Sequence, residues 1–350
     1  MIFANNSMLM FRSRNQPPPD NEIWYYAPEQ VTLYSETGVT SHTFSGGKGV
    51  ITYSSAVRDV SQALRETTAT DVMLPATVTS VGIHAFSGSK NLVRVKLPSG
   101  IVSIGTFAFY LCSELTLAEL PASLKTMGVQ VFNGCSKLAL TSLPEGLTSI
   151  GNGVFYGCSS LALTSLPEGL TSIEGNAFIG CRNIALTSLP EGLTSIGGSA
   201  FNGCSKLALT SLPEGLTSIN DGVFRNCSNI ALTALPAGVT SIGSSAFFNC
   251  PRLALTSLPE GVTSIGAWAF GYCSSLALTA LPEGLASIGL NAFYNCTGLT
   301  SITFLGTPTT LDATAFNGCT NLKDIYVPWA EGDIADAPWG ATNATVHYTG

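Results

Sequence analysis

The chain has 350 residues and a mass of 36.4 kDa, and 45% of it is apolar, yet only 11% is Asp, Glu, Lys or Arg, against about 25% for an ordinary soluble domain. A formal net charge of −7 and a pI near 5.0 remove the electrostatic basis for gripping a phosphate backbone, so nucleic acid is not an expected partner. Mean hydropathy is +0.33, but no apolar run approaches the ~18 residues that a membrane-spanning helix needs.

In chain order, Met1 to Asp20 combine Asn, Arg and Pro17-Pro18-Pro19, which predicts an extended N-terminal arm with a stiff polyproline spacer. Its apolar stretch, Met8 to Phe11, is only four residues long and runs into Arg12 and Arg14, a poor signal peptide. Such an arm is ordered when something holds it, so a larger assembly that docks residues 1–20 is an expected partner. Residues 21–75 carry no repeat and read as a β-rich N-terminal cap. Glu22 to Tyr26 and Val31 to Tyr34 are predicted strands, Gly46-Gly47 a hairpin, and Val57 to Leu64 a degenerate first helical turn.

From there one period governs the chain. The ten cysteines, Cys112 through Cys319, are spaced 23 residues apart without exception, and a Phe stands three residues before each. The series extends back to Phe86, with Ser89 in the cysteine place. Leu-Pro recurs on the same period from Leu74-Pro75 to Leu281-Pro282 and ends as Val327-Pro328. A fixed period of this length means a solenoid rather than separate domains. Within one unit, Leu161, Leu163, Leu166, Leu170, Ile173 and Phe178 are the inward residues. Leu161 to Leu166 is the predicted strand, Pro167-Glu168-Gly169 a turn, and Phe178 lies in a brief helical or 3-10 turn. Coils stacked through in-register parallel strands roughly 4.8 Å apart would make residues 76–319 a single array about 50 Å long.

The run Leu92, Val95, Leu97-Pro98, Ile101, Ile104-Gly105, Ala108-Phe109, Cys112 resembles, position by position, the unit of the BspA-like leucine-rich repeats. The resemblance implies a leucine-rich repeat solenoid with a parallel β ladder, and a binding scaffold of the kind found in bacterial and protist surface proteins and in phage-encoded relatives. Seven middle units depart from it, reading [LI]-A-L-T-[SA]-L-P, as in Leu138 to Pro144. Their middle apolar residue stands one place early, and such a shift reverses side-chain facing. Either these strands bulge or Thr141 and its equivalents point inward. Residues 320–350 read as a Trp-containing C-terminal cap, with Trp329 and Trp339 over the last coil, a short helical stretch and a closing strand from Ala344 to Tyr348.

Little here points to catalysis or a cofactor. The three histidines, His42, His84 and His347, lie in or near the ends, and Ser149, Ser172, Ser195 and Ser218 are one position copied from coil to coil. Without a C-x-x-C or a nearby histidine, zinc is not expected, and cysteines stacked about 5 Å apart point the same way, so buried free thiols are the expectation. Glu145, Glu168, Glu191, Glu214, Glu260 and Glu283 form one turn column, read as a solvated acidic stripe and not a Ca²⁺ site, because nothing else in the unit supplies the remaining oxygen ligands.

What varies between coils is the edge around each A-F-x-x-C turn. Tyr110, Tyr156, Arg182, Arg225, Phe248, Trp268, Tyr272 and Tyr294 stand there, of the residue types that most often carry interface energy. They are the candidate binding residues, weighed against an unselected variable surface. Two functions follow: a non-catalytic adhesion or protein-binding scaffold using this edge at a cell surface or outside the cell, or a virion appendage docked through its N-terminal arm.

Overall fold

The computed structural model describes residues 16–350, and the chain divides into two compact units, Met1–Ala162 and Leu163–Gly350. Each unit is a parallel β-solenoid in which one 23-residue repeat makes one coil. Most of the expected arm lies outside the described residues. At its end, Pro19 O accepts the Glu22 N–H at 2.9 Å and Asp20 O accepts the Val57 N–H at 2.7 Å.

In the first unit, strand Glu22–Tyr26 lies between Lys48–Tyr53 and Asp71–Met73 and is antiparallel to both. Val39–Ser45 completes the hairpin, whose two-residue loop is Gly46-Gly47 as expected. Both glycines take positive φ, +58° and +81°, which a tight reversal of this twist needs. Two local expectations fail here. Val31 to Tyr34 forms no strand, and Val57 to Leu64 is not helical: it contains the strand Asp59–Val60, which pairs in parallel with Ser80–Val81 and so belongs to the solenoid ladder. That ladder continues through Ser103–Ile104 to Thr126–Met127, and a second begins where Asp71–Met73 pairs with Arg94–Lys96.

In the second unit the Ser-Ile pairs form the ladder: Ser172–Ile173 with Ser195–Ile196, then Ser218–Ile219, Ser241–Ile242, Ser264–Ile265, Ser287–Ile288 and Thr310–Leu311 in register. The residue after the pair is Gly in four of these seven coils, and there the coil before approaches too closely for a side chain. A Cβ at Gly197 would sit 2.3 Å from the Gly175 nitrogen. Asn220 occupies this place in one coil, its side-chain amide takes Ile196 O at 2.7 Å, and the strand ladder is interrupted between Ser195–Ile196 and Ser218–Ile219.

The middle units answer the question of facing. Thr141 and Ser142 are both exposed between buried Leu140 and Leu143, and Thr164 and Ser165 repeat this, so the chain bulges and the threonines face out. Two consecutive outward residues cannot keep the period-2 alternation of a strand. The expected strand over Leu161 to Leu166 is therefore absent, although an Ala N–H still reaches the preceding coil, as from Ala208 to Leu186 O at 3.0 Å. The alternation returns in Ser301–Phe304 and Asp324–Val327, and with it the strand: these two form a ladder that Thr345–Tyr348 closes and that Ala280–Leu281, the end of the last bulged unit, joins on its other side.

The six inward residues of the sample unit are buried as expected, none above 5% exposure. The phenylalanines stack face to face within each unit, Phe86 to Phe155 at 5.1–5.7 Å in the first and Phe178 to Phe316 at 5.1–5.9 Å in the second. Trp339, one period after Phe316, accepts the Phe316 N–H and is fully buried with Trp329 beside it. Turns occupy the stretch between these tryptophans where a short helix was expected.

Candidate functional site

The turn that carries A-F-x-x-C was expected to be helical or 3-10, and among the described residues no helix forms. The bonding of residues 105–115 shows why. Ala108, Tyr110, Cys112 and Leu115 donate their N–H groups three residues back, while Phe107, Phe109 and Leu111 donate to Val129, Val131 and Asn133 of the next coil. Phe107 and Leu111, two residues either side of Phe109, have φ of +57° and +58°. A left-handed residue ends each right-handed turn before a helix can propagate.

Those two flanking positions are therefore left-handed columns along the edge. Gly and Asn fill most of the second column, and His84, Gln130, Asn176, Ser199 and Ser245 occupy the first. Bulky residues break the pattern at both positions in two coils: Phe107 with Leu111, and Trp268 at φ +60° with Tyr272 at +62°, the one coil with an aromatic in each column. A left-handed conformation costs a non-glycine residue about 1–2 kcal/mol, and backbone strain of this kind gathers at functional sites.

Around that coil the structure brings together five of the eight candidate residues. Phe248 packs edge-to-face on Trp268 (centroids 5.9 Å apart) and on Tyr272 (5.4 Å), and Tyr294 closes against Trp268 (5.1 Å) and Tyr272 (5.2 Å). The Arg225 guanidinium lies 4.7 Å from the Phe248 ring centre. Tyr272 remains 41% exposed. In the first unit Tyr110 joins a smaller group, edge-on to Phe107, which stacks on His84 at 5.0 Å. Tyr156 is exposed and stands apart from the Tyr110 group, as Arg182 does from the Phe248 group. Phe107 and His84 were not among the candidate binding residues, although they lie in the same column as Trp268, a whole number of periods away.

The cysteines have a role beyond filling space. Each thiol whose bond is resolved reaches the Phe carbonyl of the preceding coil, as from Cys135 to Phe109 O and from Cys250 to Phe224 O, both at 3.0 Å. That carbonyl already accepts the N–H three residues on, so the thiol fills its second acceptor site. Ser89 donates to Leu64 O at 3.1 Å from the same place. Burial pushes the thiols of Cys112, Cys250 and Cys319 up to about 12, and those of Cys204 and Cys227 well above the ordinary value of 9.0. The stripe glutamates are exposed, and among the described residues no group of three or more His, Cys, Asp or Glu is disposed to hold a metal ion.

The family model for the BspA type leucine rich repeat region matches residues 60–185, 140–254 and 252–336. The chain belongs to the BspA-type leucine-rich repeat family. It is a leucine-rich repeat scaffold, as the coil geometry and the resemblance both indicated. A leucine-rich repeat protein from Bacteroides ovatus is similar to it over 89% of this chain and 90% of its own, at 25% identity and a TM-score of 0.56. The pneumococcal vaccine antigen PcpA shares the fold over 87% of this chain and 85% of its own, at 19% identity and a TM-score of 0.54. A leucine rich cell surface protein from Faecalibacterium prausnitzii aligns over 87% of this chain and 97% of its own, at 26% identity and a TM-score of 0.48. No curated protein matches the chain. Among the described residues no helix is long and apolar enough to cross a membrane.

Proposed function

We propose that this BspA-type protein is a non-catalytic adhesion scaffold, displayed at a cell surface or outside the cell, whose turn edge in the second unit holds the ligand. The observation that carries the reading is the contact cluster of Arg225, Phe248, Trp268, Tyr272 and Tyr294. Aromatic and Arg side chains dominate interface energetics when they cluster, and here two of them are held at strained backbone positions that neighbouring coils fill with Gly, Asn or Ser. Family membership supports a binding role. In the same reading the antiparallel strand Glu22–Tyr26 covers the first strand edge of one ladder, and Trp329 with Trp339 covers apolar surface at the last coil, which is what capping a solenoid requires.

The test is binding of the fluorescently labelled chain to intact cells, compared with a Trp268→Ser and Tyr272→Gly double variant, which installs residue types already present in these columns. At least a tenfold loss is expected with an unchanged urea-unfolding midpoint. Equal binding by the variant would reject the edge.

A further inference from the structure

The four aromatic contacts close on themselves. Phe248 touches Trp268, Trp268 touches Tyr294, Tyr294 touches Tyr272, and Tyr272 returns to Phe248, so the rings surround one residue of the coil between them, Gly271. Phe248, Gly271 and Tyr294 belong to a single column, and Gly271 is its member without a side chain. That absence lets the rings draw in: a Cβ there would lie 3.0 Å from Phe248 Cδ2 and 3.3 Å from Trp268 Cε3.

Charge and hydrogen-bonding groups ring this platform. Arg225 is stacked on Phe248, and among the described residues no carboxylate pairs with it. A stacked guanidinium is pre-organised for bidentate recognition of an oxyanion. Between residues 206 and 252 the chain carries three cations, Lys206, Arg225 and Arg252, against two acids, Glu214 and Asp221; Arg252 donates to Asn229 Oδ1 at 3.5 Å and Asp221 accepts the Ser244 N–H at 2.7 Å. In a protein of net charge −7 this stretch is locally cationic. Asn249 and Asn295 flank Tyr272 in its column, and Asn249 spends one amide N–H on Asn226 at 3.1 Å, which leaves a second donor and its carbonyl.

The backbone of the edge, by contrast, is used up. The N–H groups of Trp268 and Tyr272 go to Leu290 O and Tyr294 O of the next coil, and that of Gly271 goes to Trp268 O. A peptide that docks by strand addition needs unpaired main-chain groups; a sugar does not. Its C–H face lies on aromatic rings, its hydroxyls reach side-chain amides and phenols, and a carboxylate on it would meet Arg225. We infer that the aromatic ring around Gly271, with Arg225 at its rim, is a binding site for an acidic saccharide, a sugar unit bearing a carboxylate. The inference rests on the adhesion reading and names its ligand class.

The test titrates the full chain with 3′-sialyllactose, with trigalacturonate and with neutral lactose, followed by tryptophan fluorescence and saturation-transfer NMR. One of the two acids should bind at least tenfold more tightly than lactose, and which one distinguishes a sialic-type from a uronic-type ligand. Arg225→Met should erase that preference, and Trp268→Ser should abolish binding of both acids with the unfolding midpoint retained. Acids that bind no better than lactose, or a preference that survives Arg225→Met, overturn the site. Cell binding lost in Trp268→Ser but indifferent to competition by either acid overturns the saccharide inference and leaves the adhesion reading standing. Cell binding unaffected by Trp268→Ser overturns both.

Discussion

Two sets of aromatic side chains run through the second unit, and they follow different rules. The buried column from Phe178 to Phe316 stacks with interplanar angles of 4–16°, whereas the edge group of Phe248, Trp268, Tyr272 and Tyr294 meets at 49–82°, over the same range of centroid separations. Members of one column are related by the coil-to-coil translation, so like rings in like rotamers must lie parallel. The edge group draws on three columns, and nothing in the repeat forces its rings together. The first arrangement is a consequence of periodicity. The second is a local departure from it, made at left-handed positions that disfavour large residues.

The contrast yields tests of decreasing size. Phe247→Ala in the column should open a cavity and cost about 3–5 kcal/mol, read as the urea-unfolding midpoint, with little effect on cell binding once folded; a stability loss under 1 kcal/mol would break the claim that the column is tightly packed. Next comes alkaline pH. The buried thiols hold their protons up to about 12 where the unfolded chain releases them near 9.0. Their contribution is therefore complete below pH 9 and is lost as pH rises toward 12, because the unfolded state then binds fewer protons. The urea midpoint should fall steadily from pH 9 to 11; a flat profile would show that the thiols are accessible to water. Native protein at pH 8 should accordingly resist iodoacetamide, with all ten thiols labelled only after unfolding.

Tyr272→Gly on the edge should behave oppositely to Phe247→Ala. Relief of about 1–2 kcal/mol of left-handed strain roughly offsets the lost ring contacts at about 0.5–1.5 kcal/mol each. Thermal denaturation should therefore move by no more than about 1 kcal/mol while cell binding falls. The smallest effect is expected at Asn220→Gly, which exchanges the side-chain bond to Ile196 O for the usual main-chain one: about 0.5 kcal/mol or less, with slower amide exchange at the new glycine as the visible sign.

Much of the coil was legible because it is copied. Leu170, Ile173 and Phe178 recur at fixed intervals, and eleven repetitions of one pattern leave a single consistent inward face. The strand position in the middle units was misread because a strand was assigned to the most apolar run, Leu161 to Leu166. Thr164 and Ser165 both turn outward there, which breaks the alternation that a strand requires, and the ladder moves to Ser172–Ile173. The candidate residues were found by their variation alone, so Tyr156 and Arg182 entered the set on the same footing as Trp268. What separates them is a set of contacts between neighbouring coils, and Phe107 with His84 stayed outside the candidate set for the same reason.

The amino-acid sequence by itself determined the period of 23, the family, the buried columns of Leu, Ile, Phe and Cys, and the acidic stripe, since each depends only on spacing and residue type. The tertiary structure alone decided that the threonines face out, that the thiols donate to the Phe carbonyls one coil back, and that four aromatic rings close around Gly271. Those outcomes depend on which main-chain groups are already bonded and on how side chains from adjacent coils meet, and stacking sets both only after every coil is in place.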